Sequence, residues 1–157
     1  CLLLICKLYH NAHSRSMRKK YRTTSETETK QLAHKIAALK NIRLICLFGE
    51  LGAGKTTFVR WYVTSLGIKS RVQSPTFTYE RVYGNASRVH HFDFYRSSLN
   101  DPLMGEQLAD ALGNIQNIVL IEWPEKMDAY IPKKNRLDLH FTYIDVTVRN
   151  ITAIHYD

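Results

Sequence analysis

Two short apolar runs mark the interior of the predicted fold. The first is LICLF at residues 44–48, and the second is NIVLIE at residues 117–122, which ends in a carboxylate. Neither run alternates with polar residues, which is typical of strands buried on both faces of a parallel sheet. After the first run, apolar residues recur at helical spacing up to Gly67. A buried strand followed by an amphipathic helix predicts an α/β protein.

The remaining pattern predicts further helices and strands. Ser25 with Glu28 three residues later is a capping box, and the apolar spacing behind it predicts a first helix that ends near Lys40. Weaker helical patterns cover residues 102–112 and 125–130. Alternation of apolar and polar residues predicts four more strands. These strands are expected at residues 77–81, 89–95, 137–143 and 146–154.

Between the first buried strand and its helix lies GELGAGKT, residues 49–56, which fits the pattern G-x-x-x-x-G-K-[ST]. Glycines let successive backbone N–H groups point inward, and a helix start adds its positive dipole end, so the segment predicts a phosphate-binding loop rather than an ordinary glycine turn. We expect Lys55 to reach the outer phosphates and Thr56 to bind magnesium. The expected nucleotide-binding residues of this segment are Gly52, Ala53, Gly54, Lys55, Thr56 and Thr57.

This loop makes the predicted fold class more specific. We expect an α/β, P-loop NTPase-like fold with a mostly parallel sheet flanked by helices, and antiparallel strands toward the C-terminus. With 157 residues, the chain is long enough for one domain with a substantial core. The expected P-loop domain covers residues 23–157.

Charge is concentrated at the N-terminus. The chain has a net charge of +8, and residues 1–30 contribute +5 of it, from seven Lys or Arg against two Glu. We expect residues 1–22 to be a disordered tail or a non-native extension. An RNA-binding arm is the alternative, but no aromatic residues interleave with Arg18, Lys19 and Lys20.

The apolar stretch at residues 1–6 is too short to span a membrane and has no positive flank before it, so neither a membrane segment nor a signal peptide is predicted. The three cysteines do not suggest a disulfide framework, because Cys46 lies in a predicted buried strand. This composition fits a reducing cytoplasm.

Two carboxylates lie in predicted strands, Asp93 within the strand at residues 89–95 and Glu122 at the end of the run at residues 117–122. Asp93 and Glu122, together with Thr56, supply hard oxygen atoms of the kind that magnesium prefers. We expect Lys55, Asp93 and Glu122 to be catalytic, and Thr56, Glu122 and Asp93 to be metal ligands. The alternatives are a solvated strand end for Glu122, and a cap or a salt bridge to Arg96 for Asp93.

Three aromatic side chains flank these carboxylates. His90 and His91 are adjacent in a predicted strand, so they point to opposite faces and do not chelate one ion together. His91 shares its strand face with Asp93 and is expected to support that site. Trp123 is either a core residue or a surface beside the nucleotide.

Four ordered sequence blocks resemble the TsaE (YjeE) family of bacterial ATPases. The blocks are GELGAGKTTF at residues 49–58, SPTFT at 74–78, HFDFYR at 91–96 and IEWPE at 121–125. Their order and spacing are a more specific signal than the loop alone. The resemblance extends over about residues 25–153.

The resemblance implies an ATPase that assists formation of threonylcarbamoyladenosine in tRNA beside the anticodon, with ATP and Mg²⁺ as cofactors. It implies a complex with a TsaD-like threonylcarbamoyl transferase and its TsaB-like paralogue, through which the protein meets tRNA indirectly. It also implies that Thr29 and Trp123 lie near the nucleotide, and that residues 74–78 form a switch-like loop.

The chain departs mildly from the family pattern, with Glu50 where aspartate is usual and Phe94 where leucine is frequent. A small-molecule or nucleoside kinase remains the main alternative, although no arginine-rich lid is evident between Asp93 and Glu122. A nucleotide-gated tRNA-binding module is a third possibility. A GTPase is disfavoured because the chain has no Asn-Lys-x-Asp motif. Arg96 is the candidate for an internal arginine finger.

Overall fold

The computed structural model describes residues 16–85 and 88–157. In this part of the chain, seven strands form one sheet, with helices packed on both faces. The elements, in chain order, are β1 Met17–Thr23, α1 Glu26–Ala37, β2 Leu44–Phe48, α2 Lys55–Ser65, β3 Glu80–Tyr83, β4 Val89–Asp93, α3 Pro102–Gly113, β5 Ile118–Glu122, a 3-10 helix Pro124–Tyr130, β6 Arg136–Tyr143 and β7 Arg149–Tyr156.

The strand order is β1-β7-β6-β2-β5-β4-β3. The four central strands β6, β2, β5 and β4 are parallel, whereas β3 and the pair β7 and β1 are antiparallel to their neighbours. The sheet is therefore mixed, with three parallel and three antiparallel pairings, and the prediction of a mostly parallel sheet holds only for its centre. Short connections join β3 to β4 and β6 to β7, and a short connection cannot carry the chain back to start a parallel strand.

Side chains of the central strands contribute to two hydrophobic cores, one on each face of the sheet. Ile45 and Leu47 of β2 pack with Phe58 and Tyr62 under α1 and α2. Leu44 and Cys46 point to the other face, where residues of α3 and the 3-10 helix complete the core. All the side chains of β2 except Phe48 are buried, in agreement with the uninterrupted apolar run.

Local signals correctly predicted the start of α1, but only one of the two hydrogen bonds of the predicted capping box forms. The Ser25 hydroxyl accepts a hydrogen bond from the Glu28 amide at 3.2 Å, as expected of an N-cap. The Glu28 carboxylate does not return to Ser25. It accepts instead from the Thr24 amide at 2.6 Å and from the Thr24 hydroxyl at 3.1 Å.

The strand predicted over residues 77–81 starts only at Glu80. The amides of Thr78 and Tyr79 both donate to the Pro75 carbonyl, so the segment after Pro75 is a turn. Tyr79 has a φ of 60° within this turn. Alternation at residues 77–81 is typical of a strand, but an alternating pattern carries no information about the turn that brings residues 74–78 toward the end of β4.

The prediction that residues 1–22 form a tail is wrong for residues 17–22. These residues belong to β1, an edge strand that pairs with β7 from Met17 opposite His155 to Thr23 opposite Arg149. The sequence signal was hidden because a charged, exposed edge strand lacks an apolar face of its own. Residues 1–15 lie outside the described residues.

Candidate nucleotide-binding site

The loop of residues 49–54 connects β2 to α2 at the carboxyl end of the central parallel strands. Gly49 has a φ of 138°, and a Cβ atom there would lie 2.5 Å from the Phe141 carbonyl oxygen on β6. Gly54 takes a left-handed conformation immediately before α2 begins at Lys55. These glycines let the backbone turn tightly and present its amides with the helix N-terminus, which is an arrangement suited to anions.

Lys55 is held against the loop. Its Nζ atom donates to the carbonyl oxygens of Gly49 at 2.6 Å and Glu50 at 2.9 Å, and it lies 4.2 Å from the centre of the Trp123 ring. Burial lowers the pKa of Lys55, although the nearby carboxylates of Glu122, Asp93 and Glu125 act in the opposite direction. The ammonium group is thus held within the loop by its two carbonyl partners.

Thr56 and Glu122 meet across the cleft, although 66 positions separate them in the sequence. The Thr56 hydroxyl donates to the Oε1 atom of Glu122 at 2.7 Å. The same oxygen lies 2.9 Å from the Nε2 atom of His91, which is completely buried behind it. His91 therefore fixes the orientation of the Glu122 carboxylate from the interior. The shared strand face had instead pointed to Asp93 as the residue that His91 supports.

Asp93 is bound on both of its carboxylate oxygens. Oδ1 accepts from the Tyr95 amide at 3.0 Å, and Oδ2 accepts from the hydroxyls of Ser74 at 2.6 Å and Thr76 at 2.5 Å. These bonds tie the segment of residues 74–78 to the end of β4. A change at Asp93 would therefore be transmitted directly to this segment.

A cleft of about 450 Å³ contains most of the predicted site residues. A smaller cleft of about 220 Å³ adjoins it at Gly54 and Thr57, and contains Ala53 and Thr29. The hydroxyl of Thr29 is bound to the Thr23 hydroxyl at 3.1 Å. The predicted residues that line the larger cleft are Gly52, Gly54, Lys55, Thr56, Thr57, Asp93, Glu122 and Trp123.

The oxygen atoms near Thr56 fit a magnesium ion. The Thr56 hydroxyl and a Glu122 oxygen are 2.7 Å apart, which is close to the separation of adjacent ligands around an octahedral ion with bonds of about 2.0–2.1 Å. Within residues 16–85 and 88–157, no group of three or more His, Cys, Asp or Glu side chains is arranged to hold a metal. Two protein oxygens with phosphates and waters would be the usual magnesium arrangement.

Two arginines lie near the loop. Arg149, which the sequence analysis missed, comes from β7, and its Nε atom donates to the Ala53 carbonyl at 2.9 Å. Its guanidinium also lies 4.5 Å from the centre of the Tyr143 ring. A single arginine in an alternating C-terminal strand carries no local signal, and only the sheet order brings it to the loop. Arg96, the predicted finger candidate, lines the larger cleft and covers the exposed ring of Phe77 at 4.5 Å.

This arrangement defines a class of protein: a mixed α/β protein whose G-x-x-x-x-G-K-T loop opens on a cleft with two carboxylates. The particular family follows from comparison with known proteins. The family model described as "Threonylcarbamoyl adenosine biosynthesis protein TsaE" matches residues 23–151. The chain therefore belongs to the TsaE family of tRNA threonylcarbamoyladenosine biosynthesis, as the sequence blocks indicated.

Individual relatives agree with this assignment. The chain is 35% identical over 117 residues to a "tRNA threonylcarbamoyladenosine biosynthesis protein TsaE" from Bacillus subtilis, covering 73% of this chain and 72% of that protein. It is 37% identical over 112 residues to the protein of that name from Haemophilus influenzae, covering 71% and 69%. The crystal structure of YdiB from Bacillus subtilis superimposes with a TM-score of 0.74 at 28% identity, covering 92% of this chain and 90% of that one.

Within residues 16–85 and 88–157, no helix is both long enough and apolar enough to cross a bilayer.

Proposed function

We propose that this chain is a magnesium-dependent ATPase that assists threonylcarbamoyladenosine modification of tRNA next to the anticodon. It would act in the cytoplasm, within a complex with TsaD-like and TsaB-like proteins. One observation carries the proposal: Lys55 and Thr56 at the start of α2, Asp93 at the end of β4 and Glu122 at the end of β5 come from three separate segments and line a single cleft beside the glycine-rich loop. Membership of the TsaE family supports the connection with tRNA modification.

The proposed roles follow from the contacts of each side chain. Amides of the loop and Lys55 bind the phosphates, which requires Lys55 to exchange its bonds to two loop carbonyls for bonds to phosphate oxygens. Thr56 and Glu122 hold magnesium, and His91 keeps the Glu122 carboxylate in position. When bound, magnesium neutralises charge that develops on the phosphate oxygens.

Asp93 is proposed to orient the attacking water or support the metal. In the structure, its carboxylate oxygens are bound to Ser74, Thr76 and the Tyr95 amide. An Asp93 oxygen that turned toward a nucleotide would have to release one of the hydroxyls. Such an exchange would make residues 74–78 sensitive to the state of the nucleotide, which is the behaviour of a switch segment.

The test is phosphate release from ATP by this chain alone and after mixing with TsaB-like and TsaD-like proteins. We expect slow, magnesium-dependent hydrolysis that rises with the partners, together with co-elution of the three proteins. Lys55→Ala should lower hydrolysis at least 100-fold, because it removes the cation at the phosphates. Lys69→Ala, which alters an exposed lysine beyond α2, is the matched control and should leave hydrolysis unchanged.

Two results would contradict the proposal. Full hydrolysis in the Lys55→Ala variant would refute the phosphate-binding role of the loop. Absence of both association and stimulation would refute the partner-dependent ATPase, and phosphate transfer to a nucleoside instead of water would identify the kinase alternative.

A further inference from the structure

Three basic side chains form a regular row on edge strand β1. Arg18, Lys20 and Arg22 are all exposed and alternate with Lys19 and Tyr21. Because strand side chains repeat every second residue, the three point to the same face at intervals of about 6.6–6.8 Å. Tyr21 packs on the opposite face, against the core under α1 and α2. The row therefore lies on the sheet face away from α1 and α2.

This face continues across β7 and β6 with polar residues. Lys20 is opposite Thr152, which is opposite His140, and Arg22 is opposite Asn150. Asn150 is exposed, while Thr152 and His140 are half-buried. The helices on this side, α3 and the 3-10 helix, pack against β2 and β5 and leave the outer strands accessible. We call the exposed or half-buried residues of this face the β1-β7-β6 surface.

A flat aromatic pair closes the surface on the side of the nucleotide site. The ring of His140 stacks on Phe48 with ring centres 4.4 Å apart and planes at 10°. Phe48 is the last residue of β2 and immediately precedes Gly49. The β1-β7-β6 surface therefore runs from the basic edge strand to the start of the phosphate-binding loop.

The positive charge of the row is not neutralised within the described residues. Arg18, Lys20 and Arg22 form no ion pair in residues 16–85 and 88–157. The acidic residue on this face, Asp138, is buried and paired with Arg136 at 2.7 Å. Residues 1–15 contain no Asp or Glu, so they cannot supply a carboxylate either.

The simplest explanation of charge on an edge strand is that it prevents pairing with other chains. The β1-β7-β6 surface adds three features that this protective role does not require: a regular row, hydroxyl and amide groups beside it, and a half-buried aromatic pair. Protein interfaces generally have an apolar centre. The apolar residue of β7 on this face, Ile154 opposite Arg18, is half-buried, so the exposed groups beside the row are mostly polar. Basic tracks with hydrogen-bonding groups and flat rings are instead suited to a nucleic-acid strand.

We propose that the β1-β7-β6 surface binds the phosphate backbone of an RNA strand directly. This inference goes beyond the ATPase function, in which tRNA is reached through the partner proteins. The family match covers residues 23–151, so the basic row of β1 lies outside the matched segment. RNA held here would lie beside the nucleotide cleft.

The experiment measures binding of fluorescein-labelled tRNA transcript and of a single-stranded RNA by anisotropy, with the full chain, no nucleotide and several salt concentrations. The test variant is Arg18→Gln, Lys20→Gln and Arg22→Gln. The matched control removes the same charge elsewhere, through Lys35→Gln, Lys40→Gln and Lys69→Gln at exposed positions. Circular dichroism and thermal unfolding check that each variant keeps its fold.

We expect the test variant to lose the salt dependence that the row contributes. For single strands, each phosphate contact adds about 0.7 to the slope of log affinity against log salt, so the slope should fall by about 2. Between 50 and 200 mM salt, affinity of the unaltered protein should then drop about 20-fold more than that of the variant. The control should keep most of the original slope.

An unchanged slope in the folded test variant would overturn the proposal, as would an equal loss in the control. Poly-glutamate that binds as tightly as RNA of matched charge would also overturn it, because the surface would then be an acidic-protein site. None of these measurements depends on ATP hydrolysis, so failure here and failure of the ATPase proposal are distinguishable.

Discussion

Lys55 and Trp123 show how one contact can report the state of a binding site. The ammonium group of Lys55 lies over the Trp123 ring and is bound to two carbonyl groups of its own loop. A cation this close to an indole face is electrostatically attracted to the ring and perturbs its environment. A phosphate that draws the lysine away would change that environment without any movement of the backbone.

We therefore predict that nucleotide binding changes the fluorescence of Trp123. The chain has two tryptophans, so Trp61→Phe isolates the signal of Trp123, and Trp123→Phe isolates that of Trp61. Titration with ATP or ADP and magnesium should shift or quench emission in the first variant and leave it almost constant in the second. A response confined to Trp61 would contradict the contact with Lys55 as its source.

At the scale of elements, the start of the loop depends on how closely β6 approaches it. Gly49 follows β2 directly, and β6 runs parallel to β2 with His140 opposite Phe48. The next residue of β6, Phe141, presents its carbonyl where a Gly49 side chain would be. The sequence motif has glycine at position 49 so that the loop backbone can turn around a phosphate. The close packing of β6 against this position requires glycine there as well.

Gly49→Ala should accordingly destabilise the fold even without nucleotide. A backbone conformation that non-glycine residues rarely adopt and a clash with backbone together cost roughly 2–5 kcal/mol. Urea unfolding measures the loss. Gly113→Ala is the control, because a Cβ at Gly113 meets no neighbouring atom within 4 Å. It should change stability by less than about 1 kcal/mol, and an equal loss in both variants would contradict the packing argument.

At the scale of the whole molecule, two hydrophobic cores stabilise one sheet. The exclusion of water from a core can be measured through the pKa of a tyrosine buried in it. Tyr62 of α2 is almost fully buried in the core on the side of α1 and α2. Burial raises the pKa of Tyr62 to about 12, from an ordinary value of 10.0. The phenol therefore keeps its proton in the folded state at pH values at which the unfolded chain has lost it.

The sign of the pH dependence follows from this difference. Stability associated with neutral Tyr62 is fully present below pH 10 and is lost as pH rises toward 12. At pH 11 the loss relative to pH 8 should be about 1.4 kcal/mol. The free energy of unfolding of Tyr62→Phe, measured in urea at both pH values, should fall less than that of the unaltered protein by about this amount. Parallel curves would show that Tyr62 is accessible to water.

Much of the site was predictable because its signals are local. The loop of residues 49–56, the buried runs that became β2 and β5, and the Ser25 cap each depend on residues within one turn or one strand. Composition and spacing are sufficient for such features, because period and backbone geometry determine them. The family likewise followed from four short blocks of sequence.

Only the tertiary structure decided which strands pair and which distant side chains come into contact. The basic stretch that was expected to be a tail became β1 because β7 offered an unpaired edge. Arg149 reaches Ala53 across 96 positions, and Glu122 meets both Thr56 and His91. Strand order and polar contacts between distant residues depend on the pairing of the whole sheet, which no local period encodes.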